Sequence, residues 1–162
     1  EQFLAWDRPW KFNAGISYQS DSSRFRASLN AQYTSGYRYT PQILEGYNDL
    51  GRPQYRVDNS NYLRERGTYW FGLNGKASYA LVKFGTGGIL LNLEVMNITN
   101  RRNAQIVNPI TGRGYEYGDD VPLTWRDPRP EFNGPQEYGT DPRNPARYSA
   151  PTQIVAGIQI NW

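Results

Sequence analysis

The sequence predicts an all-β chain of antiparallel strands with one face in lipid, and three observations support this. First, apolar and polar residues alternate over several segments, which is typical of strands with one apolar and one wetter face. Second, aromatic residues stand at both ends of the apolar stripes, as in a lipid-facing band. Third, short and long connections alternate along the chain. Together they predict an antiparallel transmembrane β-barrel.

The last segment, residues 149–162, shows the alternation over its whole length. Its apolar stripe is Thr152, Ile154, Ala156, Ile158, Ile160 and Trp162. This stripe carries no charge and finishes on an aromatic ring, which is typical of a strand whose outward side chains meet lipid. The closing strand of a soluble β-sandwich is the alternative that this segment leaves open.

Four earlier segments show the same pattern. We therefore expect five strands, over about 10–19, 24–35, 69–81, 89–99 and 149–162. In the fourth strand, the face that carries Glu94 is expected to point to water, because placing a carboxylate in lipid is energetically unfavourable. The aromatic residues expected at the membrane interfaces are Trp10, Tyr18, Phe25, Tyr33, Tyr69 and Tyr79.

The connections are predicted to be short, long, short and long. Residues 20–23 and 83–88 are polar or glycine-rich and predict tight turns. Residues 36–66 and 101–147 lack the alternation and predict two long loops, which suit one rim of an outer-membrane barrel. This order places both turns on one rim, together with the end of the last strand.

Composition excludes several function classes. The chain has no cysteine and no histidine, which removes thiol nucleophiles, the commonest general base and the commonest metal ligands. No run approaches the ~20 apolar residues of a membrane helix. The net charge of +3 is small and acids are interspersed, so a nucleic-acid surface is not favoured. Because the chain begins at Glu1, we expect a processing boundary or the ordered part of something longer.

The long loops hold the candidate ligand-binding residues, which are Tyr47, Tyr55, Arg56, Tyr115, Tyr117 and Trp125. Their rings can stack on a sugar or an aromatic ligand, and loop aromatics equally often anchor the loop itself. Both interpretations stay open here. Asp119 and Asp120, with Glu116, lack the order of a calcium loop, so a solvated acidic turn is favoured over a metal site. We expect no cofactor.

Five strands cannot close a barrel, because the smallest single-chain bacterial barrels have about eight. An open sheet would expose unpaired edges to hydrocarbon, which does not tolerate them. The chain is therefore expected to be the end of a larger barrel, or a piece that pairs with another chain.

Three segments resemble the TonB-dependent outer-membrane receptors. Asn92–Gln105 is similar to their penultimate strand, which leads into an Asn-x-x-Asn exit, here Asn97 and Asn100. Leu4–Tyr18 resembles an earlier strand that an Asp and an Arg precede. Finally, Gly157, Ile160 and Trp162 resemble the signal that the barrel-assembly machinery recognises.

This resemblance implies the last five strands of a barrel of about 22 strands, with two extracellular loops, in the outer membrane of a Gram-negative-type bacterium. It implies import of a scarce nutrient (siderophore, cobalamin, oligosaccharide or peptide) with energy from the TonB complex, and no catalysis. The implied partners are outer-membrane lipid, the barrel-assembly machinery and a surface lipoprotein. The rest of the barrel and the plug domain are further implied partners, either upstream in the same chain or in another chain. The residues expected to face the lumen or plug are Lys11, Asn13, Arg26, Asn30, Asn74, Lys76, Asn92 and Glu94.

Two alternatives from other classes remain. One is a structural outer-membrane barrel or scaffold without active uptake. The other is a soluble β-sandwich that binds carbohydrate. A plug domain upstream would favour import over the scaffold, and solubility without detergent would favour the sandwich.

Overall fold

A computed structural model describes residues 3–22, 24–85, 87–116, 119–120 and 148–162. Within them the chain divides into two compact units. The sheet unit comprises Lys11–Thr34, Phe71–Arg102 and Ala150–Trp162. The loop unit comprises Glu1–Trp10, Ser35–Trp70 and Asn103–Ser149, where the structure describes them. Each unit is treated by itself below.

The described residues form an all-β chain with no α-helix. The strands are β1 (Lys11–Gln19), β2 (Phe25–Thr34), β3 (Arg38–Tyr39), β4 (Gln42–Tyr47), β5 (Pro53–Val57), β6 (Glu65–Arg66), β7 (Trp70–Phe84), β8 (Gly87–Met96) and β9 (Gln153–Asn161). A 3₁₀ turn spans Asn59–Asn61. No helix in the described part of the chain is long and apolar enough to cross a membrane.

The sheet unit is one five-stranded sheet in the order β1-β2-β7-β8-β9. The pairs β1–β2, β7–β8 and β8–β9 are antiparallel. Across β2 and β7, Ala80 bonds to Arg24 while Gly75 lies beside Ser28 and Leu29, so these two strands also run in opposite directions. The turns after β1 and after β7 therefore lie at the same end of the sheet as the end of β9, which we call the short-turn end. This is the arrangement that alternating short and long connections predict. The sheet is open, with β1 and β9 as its edges, and no closed barrel is present among the described residues.

The pairing keeps like side chains on the same face across the whole sheet. Leu93 lies opposite Ala77 on one side and Ala156 on the other, while Asn92 lies between Ser78 and Gly157. The apolar face includes Phe12, Ile16, Tyr18, Phe25, Leu29, Tyr33, Tyr79, Leu91, Leu93, Ile154, Ile158 and Ile160. The polar face includes Lys11, Asn13, Ser17, Gln19, Arg26, Ser28, Asn30, Lys76, Ser78, Asn92, Glu94 and Gln159. The described strand residues of the apolar face carry no charge.

The apolar face is open to solvent. Ile154 is 69% exposed, Ile158 is 70% exposed and Trp162 is 98% exposed. Every residue of β1 and β9 is exposed, on both faces. Among the described hydrophobic residues, only Ala80 and Tyr115 are buried. The sheet unit is thus a single layer with two uncovered faces, rather than half of a packed core.

Two details of the third and fourth strands differ from expectation. Of residues 83–88, which were predicted as a turn, Lys83 and Phe84 belong to β7, and Gly87 and Gly88 belong to β8. A β-bulge between Ala80 and Val82 leaves Leu81 without a ladder partner, so Val82 lies opposite Ile89. A bulge inserts one residue into a strand, and simple alternation cannot anticipate it.

Residues 36–66, predicted as a long loop, contain four short strands that the missing alternation did not reveal. In the loop unit β3 pairs with β6, and β4 pairs with β5 through a bulge near Glu45. The hairpin turn is stabilised locally, because the Asn48 side-chain oxygen accepts hydrogen bonds from the amides of Leu50 (3.0 Å) and Arg52 (2.9 Å). Gly51 takes the left-handed conformation that such a turn needs, with φ of 70°.

Candidate functional site

The polar face of the sheet unit forms a concave surface of about 630 Å³. All five strands contribute to it, including Ser17, Arg26, Lys76, Glu94 and Gln159. Lys76 and Glu94 lie directly opposite each other on β7 and β8, and their Nζ and Oε1 atoms are 3.1 Å apart. Both side chains are partly exposed, so this ion pair adds little stability. It places one neutral pair at the centre of the surface.

The eight residues that were expected to face the lumen lie on this polar side of the sheet. Lys11, Asn13 and Asn30 lie opposite Thr34, Gln32 and Gly15 in the β1–β2 ladder. Arg26, Lys76, Asn92 and Glu94 line the concave surface itself. Asn74 lies two residues before Lys76 on β7, and its side-chain oxygen accepts a hydrogen bond from the Asn97 amide (2.9 Å). Its side chain therefore has a structural partner.

The expected interface aromatics occur towards both ends of the sheet. The rings of Phe12 and Tyr33 lie 6.1 Å apart near the end where the long connections begin. The rings of Tyr18 and Phe25 lie 6.3 Å apart near the short-turn end. Such cross-strand aromatic pairs stabilise a sheet. Trp10 and Tyr69, which immediately precede β1 and β7, are 62% and 44% exposed.

The residues of the assembly signal do not share one face. Ile160 lies opposite Ile89 on the apolar face, whereas Gly157 lies opposite Asn92 on the polar face. A side chain at position 157 would meet open space, because no neighbouring atom lies within 4 Å of the position that its Cβ would take. Tyr79, a further expected interface residue, lies opposite Leu91 and is 44% exposed.

Asn97 organises the exit of β8. It has a left-handed φ of 51°, and Asn100 follows with a φ of 49°. The Asn97 side-chain amide donates to the carbonyls of Arg101 (3.1 Å) and Ala150 (2.9 Å). Thr152 completes the contact, because its hydroxyl donates to the Asn97 carbonyl (2.7 Å) and its amide donates to the Asn100 side chain (3.1 Å). Hydrogen bonds of the Asn-x-x-Asn motif thus connect the end of β8 to Asn74 of β7 and to residues 150 and 152, which precede β9.

The candidate ligand-binding residues of the loop unit have different environments. Tyr47 is 68% exposed and Arg56 is exposed, so both side chains are open to a ligand. Tyr115 is only 1% exposed, which favours the packing interpretation for that ring. The hydroxyl of Tyr148 donates to the Tyr115 carbonyl and adds to this packing. The remaining candidates, Tyr117 and Trp125, lie outside the described residues.

Tyr55 connects the β4–β5 hairpin to the second long connection. Its hydroxyl donates to Asp120 Oδ2 at 2.5 Å, and the buried Asn108 donates through Nδ2 to the Asp120 carbonyl at 2.7 Å. Burial of the ring and the hydrogen bond to Asp120 raise the pKa of Tyr55 from 10.0 to about 12. The two long connections therefore form one folded unit at this point.

A second network centres on Asp7 and was not anticipated from the sequence. Its Oδ2 atom accepts hydrogen bonds from Arg38 Nε (2.8 Å) and Arg66 NH2 (3.0 Å). Arg38 of β3 and Arg66 of β6 lie opposite each other in the pair that these two strands form. The hydrogen bond from Arg38 lowers the pKa of Asp7, desolvation opposes this, and Arg66 lowers it further. The Arg38 guanidinium also lies 3.8 Å from the Phe3 ring centroid. The sequence showed only that an Asp precedes a predicted strand. It could not indicate the two arginine partners, because they are 31 and 59 residues away along the chain.

The acidic turn of the second long connection has protein partners. Arg113 NH2 lies 2.7 Å from Asp119 Oδ1, and Asp120 binds Tyr55 as described. Glu116 lies 2.7 Å from Arg113 NH1. The residues that the structure describes contain no group of three His, Cys, Asp or Glu side chains placed to hold a metal ion. The Asp119 Oδ2 atom also accepts a hydrogen bond from the Glu116 amide (2.9 Å), which stabilises the backbone of this turn.

Comparison with protein-family models, with curated proteins and with solved structures finds no match. The features that bear on function are therefore the two faces of the sheet unit and the loop unit. The apolar face is a continuous exposed surface without charge among the described strand residues. The polar face and the exposed loop residues offer hydrogen-bond donors, acceptors and cations for a polar partner.

Proposed function

We propose that this chain is part of a transmembrane β-barrel of the TonB-dependent receptor type, in the outer membrane of a Gram-negative-type bacterium. The barrel binds a scarce nutrient outside the cell and imports it with energy supplied through TonB. The chain contributes five strands of a larger barrel, of about 22 strands, and two extracellular connections. It binds and transports, and catalyses no reaction.

The observation that carries this proposal is the uncovered apolar face. A soluble domain rarely leaves a continuous apolar surface in water, because burying it is the main driving force of folding. Here Ile16 and Ile158 are each 70% exposed on opposite edge strands, and Leu93 between them is 44% exposed. Lipid is the solvent that such a face suits, and the opposite polar face then lines an aqueous interior.

The folded loop unit supports a binding role. Long connections without function are uncommon, whereas long structured connections frequently carry binding residues. The Asp7 and Tyr55 networks hold the described part of the loop unit in a defined conformation, which lowers the ordering entropy that a bound ligand must overcome. Tyr47 and Arg56 are the exposed candidates for contact with a siderophore, cobalamin, oligosaccharide or peptide.

Fractionation of the full-length protein tests the membrane location. We expect it in the outer-membrane fraction, resistant to a high-salt wash and soluble only in detergent. A monodisperse protein in buffer without detergent would contradict both membrane interpretations and favour the soluble β-sandwich.

Uptake measurements separate import from a scaffold role. Cells with and without the protein are compared for accumulation of radiolabelled iron–siderophore, cobalamin, oligosaccharide and peptide mixtures. We expect accumulation of one class to require the protein, and to stop when TonB is deleted or the proton gradient is collapsed. Uptake that is unchanged for every class, with an altered envelope, would support the scaffold alternative instead.

A further inference from the structure

The charges on the polar face are unevenly distributed. The central part holds the Lys76–Glu94 ion pair, which is neutral overall. Towards the short-turn end lies a second depression of about 350 Å³, to which Arg24, Arg26 and Lys83 contribute. No acidic residue lines it among the described residues. We call these three residues and their surroundings the cationic depression.

Pairing between strands fixes the position of each cation. Arg24 immediately precedes β2, and its carbonyl accepts a hydrogen bond from the Ala80 amide of β7 (2.8 Å). Arg26 lies opposite Gln19 on β1. Lys83 lies opposite Gly88 on β8, which in turn lies opposite Asn161 on β9. Arg26 and Lys83 therefore lie on strands of the sheet, and the backbone of Arg24 is attached to β7 just before β2 begins.

Charge complementarity points to an anionic occupant. None of the ion pairs among the described residues involves Arg24 or Arg26. The nearest acid in sequence is Asp21, which is exposed in the turn before Arg24 and does not line the depression. Three like charges at one end of a concave surface raise the local concentration of anions.

The remaining lining favours carboxylate side chains on a polypeptide over a free inorganic anion. Ala80 and Leu90 make part of the lining apolar, and the glycines at 85, 87 and 88 keep it shallow. An apolar lining suits the aliphatic stem of a Glu or Asp side chain, with its carboxylate meeting the cations at the rim. A lipid headgroup is disfavoured, because lipid covers the other face of this single-layer sheet.

We propose that the cationic depression binds the carboxylate side chains of an acidic polypeptide segment that packs on the polar face. The proposal depends on the proposed function only in taking the polar face as the side away from lipid. It adds a chemical requirement, namely that the segment opposite Arg24, Arg26 and Lys83 carries clustered Asp or Glu residues.

Carbodiimide cross-linking of the full-length protein in its native membrane tests this proposal. The reagent activates a carboxylate, a lysine amine in contact displaces the resulting urea, and an amide remains. The experiment uses an Asp21→Asn background, because the Lys83 amine lies 3.4 Å from the carbonyl of neighbouring Ser22 and could otherwise couple to Asp21. Peptide mapping by mass spectrometry then identifies the carboxylate joined to Lys83.

The expected product is an amide between Lys83 and an Asp or Glu in a segment with several acids. Changing Arg24→Gln should lower its yield about threefold or more, and Lys83→Gln should remove it. Raising the salt to high concentration should also lower the yield, since exposed charges are screened. The matched control is Lys11→Gln, which removes one polar-face cation from the other end of the sheet and should leave the yield unchanged.

An internal reference makes a negative result interpretable. Lys76 and Glu94 are 3.1 Å apart and should couple in every variant if the sheet is folded. A Lys76–Glu94 amide without any Lys83 product, or a Lys83 product that Arg24→Gln leaves unchanged, would overturn the proposal. Failure of the membrane fractionation would instead overturn the proposed function, so the two results are distinguishable.

Discussion

Asp7 connects the segment before β1 to two arginines that are distant in sequence. Its carboxylate oxygen lies within 3.0 Å of both Arg38 and Arg66. Replacing it with Asn leaves two guanidinium groups without their counter-charge, so Asp7→Asn should loosen the β3–β6 pair. We expect several-fold faster hydrogen exchange at the Gly67 amide, which donates to the Tyr37 carbonyl. Asp49→Asn, at an exposed loop position, is the control and should change nothing.

The same ion pairs predict a dependence on acid. Because the pKa of Asp7 is lowered in the folded protein, its contribution to stability is present above the unfolded pKa of about 3.9. It is lost as the pH falls through the folded pKa. Hydrogen exchange in the wild type should therefore approach that of Asp7→Asn only in strong acid. An equal difference between the two proteins at every pH would contradict this assignment.

The stability contribution of Tyr55 is expected to change at alkaline pH, whereas that of Asp7 changes in acid. Its pKa is raised to about 12 from 10.0, so its contribution to stability is complete below pH 10 and is lost as the pH rises towards 12. We expect Tyr55→Phe to remove this alkaline loss, together with the hydrogen bond to Asp120. In a pH titration, the difference in ultraviolet absorbance between wild type and variant should show one tyrosine that ionises near pH 12. Ionisation near 10 would show that the Asp120 contact is absent.

The turn that follows β8 shows how an element ends. Asn97 combines a left-handed backbone with side-chain hydrogen bonds to two carbonyls. Asn97→Ala should lower the free energy of unfolding by about 2–3 kcal/mol, because it removes the hydrogen bonds and strains the backbone. Asn97→Gly should cost about 1 kcal/mol less, because glycine tolerates the positive φ. Asn30→Ala, on the exposed polar face, is the control, and equal losses for both Asn97 variants would exclude backbone strain.

Strand β9 allows a direct test of which face meets lipid. Ile158 and Gln159 are adjacent, exposed and on opposite faces. Ile158→Arg should make membrane insertion less favourable by about 2–4 kcal/mol if the apolar face meets hydrocarbon, and Gln159→Arg should be tolerated. The measurement is the amount of folded protein in the outer-membrane fraction. Equal effects of the two substitutions would show that neither face is in lipid.

At the scale of elements, the sequence predicted the sheet well and the loop unit poorly. The alternation around Phe12 and Leu93 identified both faces, because period two directly reports side-chain direction in a strand. The bulge at Leu81 and the β4–β5 hairpin were missed, since extra residues, proline and glycine interrupt the period. The pairing of Tyr55 with Asp120 spans 65 residues and has no local signature.

At the scale of the whole molecule, the proposed membrane location requires partners for the open edges of the sheet. Strands β1 and β9 each pair on one side only, and hydrocarbon does not tolerate unpaired backbone groups. In the full-length protein we expect the outward amides of both strands to exchange as slowly as amides of β7 and β8. Hydrogen exchange in a lipid nanodisc measures this. Fast exchange along the outer edge of β9 would show that the sheet stays open and would contradict barrel closure.

The near absence of buried hydrophobic residues among the described positions has a thermodynamic consequence. A packed interior stabilises a protein in any solvent. If the proposed membrane location is correct, this sheet is stabilised mainly by lipid on its apolar face and by partners on its polar face. The melting temperature should therefore respond more to the chain length of the surrounding amphiphile than to trimming a methyl group from Leu91 or Ile154. For this molecule, heat resistance is then a property shared between the polypeptide and its medium.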